Sequence, residues 1–87
     1  MIGLHDAPPT PEGALPMWVI YDHPTDFPHL FVARLWHCGG GEPDPVPTGM
    51  AIGSPELDGL RKMFIEAGMY CLTRNDGDEA QIVETWM

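Results

Sequence analysis

Residues 18–36 read WVIYDHPTDFPHLFVARLW and hold two β-rich runs on either side of a turn-forming octet. The runs, at 17–21 and 30–36, are rich in β-branched and aromatic side chains, which suit a pleated, half-buried surface better than a helix. In the octet, Pro24 and Pro28 remove backbone donors and favour extended geometry at the residues before them. Asp22 and Asp26 are expected to accept hydrogen bonds from backbone amides within the turn. The stretch therefore predicts a wide β-hairpin with an ordered turn.

Side chains of this hairpin should alternate between the two faces of a sheet. Trp18 and Ile20 then share one face of the first strand, and Arg34 shares a face of the second strand with Val32 and Trp36. Both faces of the hairpin are partly apolar. We expect one face to lie under a helix and the other to contact a partner or a second copy of the chain.

The rest of the chain predicts an arm, a loop and a helix. Residues 1–16 contain four prolines and two glycines, which predicts an extended N-terminal arm ahead of a single domain over 17–87. Residues 37–49 contain seven Gly or Pro residues in thirteen positions, which predicts a long surface loop. Ser54-Pro55-Glu56 is typical of a helix start, and apolar residues at three-and-four spacing run up to Gly68, a left-handed stop. The predicted helix spans 55–67.

A second hairpin closes the predicted fold. Residues 69–74 and 81–87 read as strands, and Asp76-Gly77 between them supplies the positive φ that a tight turn requires. The order is then β-β-α-β-β. We expect an α+β domain with a mainly antiparallel sheet of about four strands and one helix packed on one face.

Charge and length narrow the classes of function. Thirteen Asp and Glu stand against four Lys and Arg, for a formal charge of −9. Direct nucleic-acid binding is disfavoured, since it depends on basic residues, and a basic protein partner is favoured. A chain of 87 residues has little room for a large cofactor. Cys38 and Cys71 form no motif, and no leader or membrane-spanning segment is evident, so we expect a cytoplasmic protein that does not enter membranes.

Candidate chemistry is sparse. Asp22, His23, Asp26 and His29 offer oxygen and nitrogen ligands for a divalent metal, but no zinc-type pair spacing accompanies them and turn formation explains the aspartates. Ser54, the single serine, is accounted for as a helix cap. We therefore predict no catalytic residue, no metal and no cofactor.

The pattern W-x-I-Y-D-H-P-x-D-F-P-x-x-F-V-A-R-x-W, followed by the helix at 57–60 and the closing segment at 82–86, resembles a group of short uncharacterised bacterial proteins. The resemblance covers most of residues 18–86. It implies no activity. It implies only that the octet from Tyr21 to Pro28 is a fixed structural feature.

Three functions follow as hypotheses. The first is a small acidic, non-enzymatic interaction module that engages a basic protein, for example a phage-type inhibitor of a nucleic-acid-binding machine. The second is a metal-binding or small enzymatic domain built on the Asp22–His29 turn, and the third is a structural homodimer. For the first hypothesis, the predicted interaction residues are aromatic, basic or clustered acidic: Trp18, Tyr21, Arg34, Trp36, Asp76, Asp78, Glu79 and Trp86.

Overall fold

The computed structural model describes residues 8–72 and 82–87 of the chain. Its elements are β1 (Ala14–Asp22), β2 (Phe31–Gly39), β3 (Glu42–Ser54), α1 (Leu57–Glu66), β4 (Cys71–Leu72) and β5 (Ile82–Trp86). All neighbouring strands are antiparallel, in the order β3-β2-β1-β5-β4. The α+β class and the single helix are confirmed, and the described sheet has one strand more than predicted.

The hairpin of β1 and β2 forms the centre of the sheet. Its register pairs Trp18 with Leu35 and Ile20 with Ala33. The pairing continues outward to Ala14 and Gly39, so β1 begins three residues earlier than predicted. Residues 14–16 of the predicted arm therefore belong to β1, and residues 1–7 lie outside the described part.

Strand β3 occupies most of the segment that was predicted to be a loop, and that prediction is wrong. Gly39, Gly40 and Gly41 have φ of 88°, 68° and 92°, a left-handed geometry that turns the chain from β2 into β3. The prolines of β3 stand at every second position, 43, 45 and 47. Their nitrogens therefore all face the same side of the strand, away from β2, where no ladder bond is lost.

The helix begins two residues later and ends one residue earlier than predicted. The hydroxyl of Ser54 accepts a bond from the amide of Glu56 at 3.2 Å and so caps the turn before the helix rather than the helix itself. Gly68 has φ 79° and donates to the carbonyl of Ile65 at 3.0 Å. Met69 donates to the carbonyl of Phe64 at 3.0 Å, which completes a Schellman motif.

One face of the sheet packs against α1 and forms the core. Phe64 lies between Trp18 and Trp86, with ring centroids 5.6 Å from each. The buried members of this cluster come from four strands and the helix: Trp18, Ile20, Ala33, Leu35, Ile52, Leu60, Phe64 and Trp86. We call this side of the sheet the helix face.

Strand β5 pairs with β1 on one side and with β4 on the other. The antiparallel pair of β4 and β5 is what the second predicted hairpin requires. Tyr70 and Met87 exchange backbone hydrogen bonds of 2.8 and 3.0 Å just beyond the strand ends. The predicted turn over 75–80 lies outside the described residues. Within the described part, no helix has the length and apolar character needed to cross a membrane.

Candidate functional site

The predicted interaction residues divide between the two faces of the sheet. Trp18 and Trp86 are only 3% and 5% exposed because they pack on Phe64 under the helix. We expected both on a contact surface, and their burial corrects that expectation. Tyr21, Arg34 and Trp36 lie on the opposite face, while the acidic cluster at 76–79 lies outside the described residues.

The face opposite the helix is defined by five side chains that alternate with the core residues of β1 and β2. We call it the open face, and its residues are Val19, Tyr21, Val32, Arg34 and Trp36. The register places Val19 opposite Arg34, and Tyr21 opposite Val32. Val19 and Val32 are buried, whereas the three larger side chains are partly exposed around them. The result is a small apolar centre with an aromatic and cationic rim.

Arg34 is held in place at this rim by two contacts. It donates to Asp26 Oδ2 at 2.5 Å and lies 5.6 Å above the centre of the Tyr21 ring. The Arg34 hydrogen bond lowers the pKa of Asp26 below its usual value. The partners of Arg34 are therefore Asp26 from the turn and Tyr21 from β1.

The turn between β1 and β2 is ordered by its backbone. Phe27 donates to the carbonyl of Pro24 at 2.8 Å, and Leu30 donates to the carbonyl of Phe27 at 3.2 Å. The Asp26 carboxylate accepts bonds from Arg34 and from the backbone amide of its own residue. The amide two positions on is absent, because residue 28 is proline. The backbone bonds of the segment agree with the predicted turn, whereas the bond from Arg34 to Asp26 was not predicted.

His23 and Asp22 form a local pair at the start of the turn. The Asp22 carboxylate contacts His23 Nδ1, and His23 has φ 46°, the left-handed region that His adopts more readily than most residues. The imidazole meets the Phe31 ring edge-on at 4.8 Å. These contacts account for both polar groups as parts of the turn.

A second arginine pair lies on the helix face, and sequence reasoning missed it. Arg61 donates to both oxygens of Glu84, at 2.9 and 3.0 Å, and the Trp86 indole donates to Glu84 Oε1 at 3.0 Å. Burial raises the pKa of Glu84, but the bonds from Arg61 and Trp86 outweigh it, so the pKa lies below its usual value. The i,i+3 contact between Arg61 and Asp58, at 3.6 Å, adds to this pair. Helical periodicity places Arg61 opposite the apolar stripe of α1. It does not show that β5 lies beside this arginine.

No cluster in the described residues suits a metal. No group of three or more His, Cys, Asp or Glu within 8–72 and 82–87 could hold an ion, and the Asp22–His29 turn lies wholly within that range. Cys38 and Cys71 are free thiols on β2 and β4, which are separated by β1 and β5. Partial burial and the neighbouring Glu84 raise the pKa of Cys71, which disfavours the reactive thiolate.

Comparisons with protein-family models, curated proteins and solved structures find no match to this chain. The resemblance of the hairpin to short bacterial proteins therefore stays a prediction.

Proposed function

We propose that this protein is a small acidic, non-enzymatic interaction module whose open face contacts a basic protein. The observation that carries the proposal is that both described arginines form ion pairs with carboxylates of the same chain. Of the three described basic residues, Arg34 is paired with Asp26 and Arg61 with Glu84, and only Lys62 is exposed on α1. Exposed carboxylates such as Glu12, Asp44 and Glu66 then dominate the outward field.

The open face supplies anchors for such a contact. Tyr, Trp and Arg are the residue types that most often carry binding energy at interfaces. Arg34 is already held by Asp26 and Tyr21, so binding would cost less side-chain entropy there. The Trp36 indole nitrogen is buried and has no hydrogen-bond partner among the described residues, so it would meet an acceptor on a partner only if the indole moved on binding.

The proposal is tested on a partner captured from the source cell with the tagged chain and then purified. Raising the ionic strength to physiological values shortens screening to about 8 Å, so the association rate should fall severalfold while dissociation changes little. Neutralising Asp76, Asp78 and Glu79 together should reproduce part of that loss. An association rate indifferent to salt would show that the acidity serves solubility alone.

The role of the open face is tested separately by Trp36→Ala. Loss of an aromatic anchor should raise the dissociation rate about tenfold or more. Ile65→Ala is the matched control, since Ile65 is 62% exposed on the outer side of α1 and away from the open face. Equal effects of the two substitutions would contradict the assignment of the open face.

An inhibitor of a nucleic-acid-binding protein is one specific form of this function. In that form the acidic surface takes the place of phosphates, and the purified partner should lose nucleic-acid binding when the complex forms. A ternary complex with nucleic acid would exclude this form and leave the general function standing. Native mass spectrometry of the isolated chain distinguishes the homodimer alternative, which requires twice the chain mass without any partner.

A further inference from the structure

Strand β3 forms one edge of the sheet, and its two halves differ in what they offer to an incoming strand. The half over 42–47 carries Pro43, Pro45 and Pro47, so it presents no amide donors on its outer side. The half over 48–54 reads TGMAIGS and contains neither proline nor charge. Only the second half is chemically open to pairing.

Within residues 8–72 and 82–87, no strand pairs with the outer side of this second half. The Leu35 carbonyl accepts a bond from the Thr48 hydroxyl at 3.0 Å, so Leu35 faces β3. Backbone direction alternates along an antiparallel strand, so Ala33 also faces β3 and bonds with its partner Ile52. Ala51 and Gly53 therefore turn their N–H and C=O groups to the outer edge.

An apolar pocket of about 280 Å³ lies beside this edge, between β3 and α1. Leu60 and Met63 form its helix wall, and Ile52 and Gly53 form its strand wall. The helix can come this close because residue 59 is glycine: a Cβ there would lie 2.8 Å from the Ser54 hydroxyl. In a strand added at the edge, alternate side chains would point to the helix face, and one of them would enter the pocket.

The charges around the pocket indicate the occupant. Glu56 directly follows Ser54 and Pro55, which line the pocket, and Glu66 stands three residues after Met63 on α1, so both carboxylates lie near the pocket. Both are exposed. A second copy of the chain would bring two net charges of −9 together at this edge, whereas a basic segment would be attracted.

We propose that the edge of β3 over 50–54 binds an extended segment of the basic partner as an added strand, with an apolar side chain in the pocket and Lys or Arg beside Glu56 and Glu66. The proposal rests on the proposed function, because it specifies how the basic partner is held. The bound strand would lie next to the open face, because Ala51 of β3 pairs with Arg34 of β2. Backbone bonds would supply affinity, and the pocket would supply specificity.

The probe for this site is the blocked peptide Thr-Lys-Thr-Leu-Thr-Lys-Thr, which places Lys, Leu and Lys on one face of a strand. In a titration followed by amide chemical shifts, the largest changes should fall on Ala51, Gly53 and Met63. Two analogues carry N-methyl groups either on the threonines or on Lys and Leu. In an added strand, the amides of only one of these two sets of residues face β3. Only the analogue methylated on that set should therefore bind about tenfold or more weakly than the unmethylated peptide. Equal binding of both analogues would overturn the edge-strand proposal.

Two variants complete the test. Ala51→Pro removes the amide donor that faces the outer edge, just as the outer edge already lacks a donor at Pro47, and it should abolish peptide binding. Thermal unfolding of the variant checks that it is folded. The double substitution Glu56→Gln and Glu66→Gln should weaken binding severalfold at low salt and leave the N-methyl difference intact. Self-association of the chain that Ala51→Pro prevents would identify a second copy as the occupant and overturn the proposal.

The outcome is separable from that of the proposed function. If folded Ala51→Pro binds the captured basic partner as tightly as the unsubstituted chain does, the edge proposal fails and the function stands. If the unsubstituted chain binds no basic protein, the function itself fails.

Discussion

Among the residues that the structure describes, each face of the sheet holds one arginine–carboxylate pair, and the two pairs differ in their exposure to water. On the helix face, Arg61 makes two bonds to Glu84, which is 8% exposed. On the open face, Arg34 bonds to Asp26, whose side chain is 54% exposed. The same chemistry therefore fixes a helix to a sheet in one place and orients a surface side chain in the other.

The largest effect is expected where the helix face is packed most tightly. Phe64→Ala removes the ring between Trp18 and Trp86 and should destabilise the protein by about 3–5 kcal/mol, measured by urea denaturation. The neighbouring substitution Ile65→Ala should change stability by less than about 0.5 kcal/mol, because that side chain is 62% exposed. Similar losses for both would mean that α1 does not pack on this face.

The next largest effect concerns the pair of Arg61 and Glu84 on the helix face. Arg61→Met keeps most of the side-chain length but leaves the Glu84 carboxylate without its cation, and it should cost about 1.5–3 kcal/mol at neutral pH. Lys62→Met is the control, since Lys62 is exposed on the same helix. A loss for Arg61→Met no greater than for Lys62→Met would show that the pair is as weak as a surface pair.

The same variant should change the acid limb of the stability curve. The folded-state pKa of Glu84 lies below its usual value of 4.5, so its contribution to stability is present above that pH and is lost as the pH falls through the folded pKa. Without Arg61, the bond from Trp86 remains but opposes the effect of burial less strongly, so the pKa of Glu84 rises relative to that in the unsubstituted chain. The stability gap between the two proteins should therefore be widest near neutral pH and close in acid. A gap independent of pH would exclude Glu84 as its source.

The smallest effect is expected for the exposed pair. Asp26→Asn should shift the denaturation midpoint less than Arg61→Met does, and the shift should shrink in high salt. The sharper measurement is the titration of Asp26 by NMR. Its pKa should lie below 3.8 in the unsubstituted chain and rise in Arg34→Gln, because the bond from Arg34 is lost. An unchanged pKa would show that the pair does not persist in solution.

Local sequence signals predicted the features that depend on neighbouring residues. The hairpin alternation and the left-handed Gly68 were correct, because each is set by a few consecutive residues. The strand at 42–54 was missed because proline content was counted without its spacing: prolines at every second position fit an edge strand.

The candidate site was predictable only in part, because pairing depends on strand order. Arg61 and Glu84 are 23 residues apart, and nothing in the sequence shows that β5 lies beside β1 under the helix. The burial of Trp18 and Trp86 has the same cause, since an aromatic pattern does not indicate which face the helix covers. Arg34 was assigned to the correct face, but its partner, eight residues away, lies across the turn.

The position of β5 next to the central strand affects how the chain folds during its synthesis. When β1, β2 and β3 have left the ribosome, they can form a three-stranded meander. Trp18 then lacks its cross-strand neighbour Trp86, and one edge of β1 is unpaired. Helix α1 emerges next, and its Arg61 still lacks Glu84. The core can therefore close only after β5 has left the ribosome, so we expect the domain to complete its folding late rather than progressively during translation.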